Sequence, residues 1–455
     1  MNLENCNVEN ARNRMHEVNP QLNAVVTEID EEIEEKKGKL ASVPVVLKDN
    51  ISTAGIRTTA SSRILDNYVP VFDATIVKKL KEAGACFIAK ASMDELGMGG
   101  TNKNAYTGPV HNPYDLDRIP GGSSGGCAAL VASGVTPLAV GSDTGDSVRK
   151  PASYCGVVGV KPSYGRISRY GIIPYASSLD HVGYFTTNVK DAALALEVLA
   201  GRDDHDLTSS QKPVEEYSKN LNTDLKGKTI GVFKTVVDAL ENQTIKQSFL
   251  DFVEKVKEAG ANVVEVEMPL ELMELIEPVY KTIANAEATA NHANLDGLRF
   301  GMREDGESVD EVMTNSRTKG FSSAVRERFV IGSYSLFDEN QERILRKAQK
   351  IRRMMVEAYS KCFEGVDGIL CTAAADVAPL ITKDTMDTNF TDEHMQLANF
   401  SGYPSITLPL GMQDGLPFGM NLTCRPFEEQ MMFNLAGGLE KLTGCKDQCR
   451  KGDLD

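Results

Sequence analysis

The chain has 455 residues, a net charge of −15, 25% charged and 41% hydrophobic side chains, and no Trp. That length holds roughly two to three average domains or one large α/β domain, with the apolar share of an ordinary globular protein. An acidic balance with few aromatics excludes a chain that grips nucleic acid alone, because phosphate binding needs a basic surplus and single-strand binding needs stacking surfaces.

The first 20 residues carry acids and no apolar core, which excludes a secretory signal and argues against a mitochondrial presequence. No apolar run approaches the ~20 residues of a membrane helix. Nine cysteines, an odd number, are scattered along the chain, as expected of reduced thiols in an intracellular compartment. The expected home is the cytoplasm, with the mitochondrial matrix as the alternative. Cys445 and Cys449 form a C-x3-C pair without two further ligands at zinc spacing, so no metal site is expected.

In chain order, "FDATIVKKLKEAGACFIAK" predicts a helix followed by a strand. Asp73 is the expected cap, Ile76, Val77 and Leu80 share a face, and Gly84 stops the helix before a strand at 86–89. A strand is expected at 136–140. The stretch 202–227 is polar and irregular. "KTIGVF" (228–233) reads as a strand. "IKQSFLDFVEKVKEAGANVVEVEMP" repeats the helix–strand pattern, with Phe249, Phe252, Val253 and Val256 on one face and Gly260 at the end. The stretch 270–360 is mostly helical and interrupts the strand rhythm. Strands resume at 367–374 and 404–410, and "LGMQDGLPFGMNLTC" predicts a hairpin. No Pro/Ser linker divides the chain. The expectation is one mixed α/β domain over 1–455 with a large central sheet.

Three segments depart from ordinary packing. In "VPVVLKDNIS" (43–52) an apolar run meets Lys48. A lysine in apolar surroundings loses its charge more easily and can act as a base. In "IPGGSSGGCAALVASG" (119–134), Gly and Ser residues lead into a helix of small residues. Such a turn exposes backbone N–H groups and presents hydroxyls. No lysine follows in the phosphate-loop position, which excludes that class of nucleotide site. In "VGSDTGDSVRKPAS" (140–153), a strand runs into a bend bearing Ser147, with Arg149, Lys150 and Pro151 opening the next element. The six histidines lie outside all three segments, so a Ser-His-Asp triad has no support. The combination suggests a serine nucleophile, a lysine base and a second serine as proton bridge.

"GGSSGG" followed by "GSDTGDSVRKPASYCGVVGVKPSYGRISRYG" resembles the amidase signature family, with the segments in that family's order over essentially the whole chain. The resemblance implies a single α/β domain whose mixed sheet carries helices on both faces. It implies a signature core at about 40–200 and a variable substrate-side region at about 270–360. It also implies a Ser–cis-Ser–Lys triad of Ser147, Ser123 and Lys48. Thr144, Gly145 and Asp146 would form the oxyanion hole through their backbone, and Ser124 would be a supporting hydroxyl on the substrate side.

"GIRTTASSRIL", "NPYDLDRIPGGSSGG" and "RYGIIPYASSLDHVGYF" are similar to the branch that supplies glutaminase subunits to tRNA-dependent amidotransferases. That branch implies a glutamine held by Tyr280, Arg328 and Asp392. An Arg fork suits an α-carboxylate, and an Asp suits an α-ammonium. It implies no cofactor here, and ATP and Mg2+ in the whole complex. It implies two partners: a kinase/transamidase B subunit that reads the tRNA, and a small C subunit. The acceptor, Glu-tRNA(Gln) or Asp-tRNA(Asn), is not encoded in this chain. The rival readings are a stand-alone amidase for another small amide and a non-catalytic scaffold.

The sequence departs from the family's usual pattern in a few places. Asp146 stands where Gly is usual, Lys150 where Gln is common and Lys103 where an acid is common. A late start suggests a leading helix that is shortened or missing. Asp146 raises a specific expectation: a backbone able to enter positive φ, and a carboxylate turned away from the oxyanion or paired with a cation.

Overall fold

The computed structural model describes residues 2–30, 37–383 and 389–448. Its strands are β1 (Val25–Glu28), β2 (Pro44–Lys48), β3 (Cys86–Ala91), β4 (Leu138–Asp143), β5 (Val158–Lys161), β6 (His181–Thr186), β7 (Thr229–Phe233), β8 (Asn262–Val266), β9 (Gly368–Thr372), β10 (Ser405–Gln413) and β11 (Leu416–Thr423). All eleven join one sheet in the order β1-β3-β2-β4-β6-β5-β10-β11-β9-β7-β8. The β3-β2-β4 and β9-β7-β8 groups are parallel, and the remaining pairs are antiparallel. The mixed sheet expected from the strand rhythm is present.

Alternation along the central strands explains the two helical layers. Val45, Leu47, Leu138 and Val140 face one core with the helices Thr75–Glu82, Val189–Leu199 and Gln243–Glu258. Val46 and Ala139 face the other, with the helices Val8–Leu22 and Gly125–Ala132. Successive strand residues point to opposite faces, so strands buried on both sides need apolar residues at nearly every position.

The two predicted helix–strand units are there, each joining parallel neighbours, β2 to β3 and β7 to β8. The predicted cap is not. The helix Thr75–Glu82 starts one residue further on, at Ala74 as N-cap with no side-chain bond. Asp73 instead accepts from the Ala54 amide at 2.8 Å and pairs with Lys81 at 2.7 Å. The strand expected at 136–140 runs on to Asp143, so Ser142 and Asp143 belong to the sheet rather than to the bend. The predicted hairpin closes with Gln413 opposite Leu416. Asp414 and Gly415 have φ of 52° and 80°, the two left-handed residues that a tight hairpin turn requires.

No helix or strand forms within 202–227, and 270–360 is helical as expected. The first helix spans Val8–Leu22, 15 residues, with Asn7 as its cap. Cys445 is a free, half-buried thiol, while Cys449 lies outside the described residues. Among the described residues, no helix is long and apolar enough to cross a membrane, and no cluster of His, Cys, Asp and Glu could hold a metal ion.

Candidate active site

Lys48 is the last residue of β2 and is fully buried. Its Nζ donates to Ser123 Oγ at 2.7 Å and to Ser142 Oγ at 3.0 Å. Burial lowers its pKa from 10.5 to about 8, against the opposing influence of Cys127, Asp94, Asp143 and Asp180. A lysine in that state gives up its proton near neutral pH and then accepts one from a hydroxyl.

Ser123 follows a cis Gly122–Ser123 peptide bond. A Cβ on Gly122 would lie 2.0 Å from Asp94 Oδ2, so only glycine fits there. Asp94 holds this turn from below, accepting from the Thr101 and Asn102 amides at 3.1 and 2.9 Å. Ser124 caps the helix Gly125–Ala132 by position, but its Oγ donates to the Ser142 carbonyl at 2.9 Å. It is fully buried and braces the turn against β4.

The bend after β4 is anchored on every side. Asp143 accepts from the Val148 amide at 3.0 Å, from Arg149 Nε at 3.1 Å and Nη2 at 3.0 Å, and from Asn399 Nδ2 at 2.9 Å. Arg149 also donates to the Gly145 carbonyl at 2.7 Å. Both charges are completely buried, a costly arrangement that persists because the remaining hydrogen-bonding capacity is satisfied. Burial works against the Asp143 charge, but Arg149 outweighs it and holds this carboxyl well below the usual range.

Thr144 Oγ1 donates to Asp180 at 2.7 Å, and Asp180 also accepts from the Tyr175 and Ala176 amides at 2.8 and 3.1 Å. The Ser147 carbonyl accepts from the Ser124 amide at 3.1 Å, tying the bend to the Gly/Ser turn. Among the described residues, none accepts a hydrogen bond from the amides of Gly145, Asp146 or Ser147. Amides left unpaired at a buried bend are a ready receptor for a negative oxygen. As expected, Arg149, Lys150 and Pro151 open the next helix, Arg149–Cys155.

Asp146 is not among the residues of positive φ, so the bend needs no left-handed backbone there. That corrects the expectation of a strained Asp. The other half of the expectation is met: its carboxylate lies 2.6 Å from Lys150 Nζ.

The substrate side comes from the helical region. Tyr280, on the helix Ile276–Asn291, lies over the bend, and a Cβ on Gly145 would sit 3.1 Å from its ring. Arg328, on the helix Ser323–Leu336, donates to Tyr175 Oη at 3.2 Å. Tyr175 in turn meets Tyr280 edge-on, with ring centroids 6.5 Å apart. Asp392 comes from the other side, on the short helix Phe390–Glu393, where it accepts from the Ala375 amide at 3.3 Å. Tyr280 and Arg328 are thus brought together through a residue that sequence reasoning missed. Tyr175 lies in the irregular "GIIPYASSLD" stretch, where neither helix nor strand period singles it out. Asp94 and Asp180 were missed for the same reason, and Ser142 because its neighbours have the composition of a turn. Lys103 is spent elsewhere, donating to the Ile381 and Lys383 carbonyls at 3.1 and 3.0 Å.

The Amidase family profile matches residues 6–433 of the chain. The chain belongs to the amidase family. The A subunit of glutamyl-tRNA(Gln) amidotransferase from Persephonella marina is 39% identical over 453 residues, covering 96% of this chain and 93% of that relative. The protein of the same name from Fusobacterium nucleatum subsp. nucleatum is 42% identical over 413 residues, covering 90% of this chain and 84% of the relative. Among solved amidase-family structures, the glutamyl-tRNA(Gln) amidotransferase A subunit from Thermotoga maritima superposes with a TM-score of 0.82 at 34% identity, over 97% of this chain and 95% of that one. The native peptide amidase of Stenotrophomonas maltophilia gives 0.83 at 27% identity, over 96% and 93%. The same fold is therefore shared by proteins named for different amides.

Proposed function

We propose that this chain is the glutamine-hydrolysing subunit of a tRNA-dependent amidotransferase. The observation that carries the reading is the buried Lys48–Ser123 contact of 2.7 Å beside the Ser147 bend. The relatives named as A subunits of glutamyl-tRNA(Gln) amidotransferase support the substrate class.

In this reading Ser147 Oγ attacks the side-chain amide carbon of glutamine. Its proton passes to Ser123 as Ser123 gives its own to neutral Lys48. The backbone amides of Thr144, Gly145, Asp146 and Ser147 receive the oxyanion, whose charge exists only after attack. The C–N bond then breaks, and the proton returns through Ser123 to the departing ammonia. Water resolves the glutamyl ester, releasing glutamate. Arg328 pairs with the α-carboxylate, Asp392 with the α-ammonium, and Tyr280 packs against the substrate stem.

The ammonia goes to a partner, the B subunit, which activates and amidates Glu-tRNA(Gln) or Asp-tRNA(Asn) with ATP and Mg2+; a small C subunit completes the assembly. The net charge of −15 fits a chain that leaves tRNA binding to that partner. The proposed compartment is the cytoplasm, which suits the free thiols of the described cysteines.

The test is co-expression with the two partners, followed by an assay of glutamine-dependent amidation of Glu-tRNA(Gln). Glutamate release that rises with the partners and with acceptor tRNA supports the reading. Fast hydrolysis of simple aliphatic amides by the isolated chain, with no glutamine turnover in the complex, would favour a stand-alone amidase.

A further inference from the structure

Asp146 is the feature of this site that works against it. Its amide faces the proposed oxyanion, yet its side chain brings a negative charge to the same bend. In a water-poor site, like charges a few ångströms apart repel strongly enough to slow a reaction by more than tenfold. A second charge answers it. Lys150 Nζ lies 2.6 Å from Asp146 Oδ2, with both side chains about nine-tenths buried. The same two residues are joined along the backbone, where the Lys150 amide donates to the Asp146 carbonyl at 2.9 Å. The side-chain pair and the backbone bond together hold the Asp146 unit in one orientation, with its amide left for the substrate.

The surroundings make Lys150 the counter-charge for more than Asp146. Glu393 Oε1 lies 3.9 Å from the same ammonium, and Glu393 Oε2 accepts from Gln396 Nε2. Burial alone would lower the Lys150 pKa, but Asp146, Glu393 and Asp392 outweigh it and hold it well above its ordinary value. Arg149, the neighbouring cation, is committed to Asp143, Asn399 and the Gly145 carbonyl. The acid at 146 and the base at 150 therefore meet in space.

We propose that Lys150 is a positioning residue for acyl transfer: it neutralises Asp146, so that the bend binds the oxyanion despite the acid, and the two side chains function as one unit. The proposal rests on reading the bend as the acyl-transfer site.

The experiment is a double-mutant cycle in the full complex, with glutamine and with a p-nitrophenyl ester as a second probe. Thermal melts and active-site titration put every rate on a per-folded-site basis. Lys150→Gln is expected to lower kcat at least about tenfold while KM stays level or falls, because the exposed carboxylate opposes charge that appears only in the transition state. In the Asp146→Gly background the same Lys150→Gln change is expected to cost at least about tenfold less, which is the coupling that defines a unit. An unchanged kcat in Lys150→Gln overturns the proposal. So does a loss of equal size in both backgrounds, or one that disappears when rates are referred to folded sites. If the wild-type complex turns over the ester but not glutamine, the glutaminase reading fails, and the ranking of the four proteins on the ester still decides the pairing.

Discussion

The first half of the sheet and the helical region beyond it treat charge in opposite ways. From β2 to β5, Lys48, Lys90, Arg149 and Lys161 are completely buried, each held by fixed oxygen acceptors. In the helices between 270 and 361, charges sit outside in one-turn pairs such as Glu277–Lys281, Glu342–Arg346 and Arg353–Glu357. There, apolar side chains such as Val330, Tyr334 and Phe337 are also exposed. The first region spends its buried polar groups on rigidity and chemistry. The second lends Tyr280 and Arg328 to the site, and its Arg317 and Arg352 reach inward to backbone carbonyls, while the pairs named above stay at the surface. Within the first region the contrast sharpens. Burial brings both Lys48 and Lys90 to a pKa of about 8. Lys90 is turned to the Ile51 carbonyl and to Thr58 Oγ1, the latter at 2.8 Å. Only Lys48 of this pair meets Ser123, so contact and not burial marks the base.

The largest effect should come from breaking the first region at its bend. Ser147→Ala is expected to lower glutamate release by roughly 10⁴-fold or more and to abolish a glutamyl-enzyme detectable by mass spectrometry. Lys48→Ala should cost about 10²–10⁴-fold in kcat, the usual worth of a general base. With Lys48 intact, the base form is the neutral amine, so log kcat/KM should rise with pH and level off above about 8. Lys90→Met should leave that limb in place, since Lys90 titrates nearby without touching the site; a lost limb in this variant would assign it to the wrong lysine. In the helical region, Arg328→Ala should raise KM for glutamine about 10–100-fold with less change in kcat, from losing ~1.5–3 kcal/mol of charge-assisted hydrogen bonding. The smallest effect is purely structural. Ser308 caps the helix Val309–Gly320 by accepting from the Glu311 amide, so Ser308→Ala should cost ~1 kcal/mol in a denaturant melt and leave kcat unchanged.

Periodicity made the scaffold legible. The helix faces of Ile76–Leu80 and Phe249–Val256, the hairpin at Asp414-Gly415 and the helical stretch after 270 each follow from residues close in sequence. The Gly/Ser turn, Lys48 and the Ser147 bend were legible because they break that periodicity. What sequence could not reveal are contacts made across the chain. Tyr175 links Arg328 to Tyr280, and Asp180 fixes Thr144. Lys150 and Asp146 were each visible as departures, but their pairing is a statement about the rotamers at the start of a helix. The misplaced cap at Asp73 has the same origin: its carboxylate found the Ala54 amide, 19 residues back in sequence. The end of β4 was misread because Gly141, Ser142 and Asp143 have the composition of a turn, while pairing with Gly183, Val182 and His181 of β6 keeps them extended.

The place of β10 in the sheet also sets a timetable. This strand lies beside β5, with Ser405 opposite Lys161, so two distant stretches of chain meet at the centre of the sheet. Arg149 reaches the same late segment, donating to the Met395 carbonyl at 2.9 Å and to Asn399 Oδ1 at 2.6 Å. A nascent chain that has not yet reached residue 395 holds Lys48, Ser123 and Ser147, but its Arg149 lacks the Met395 and Asn399 acceptors that help to fix the bend. Such long-range closure folds slowly and late.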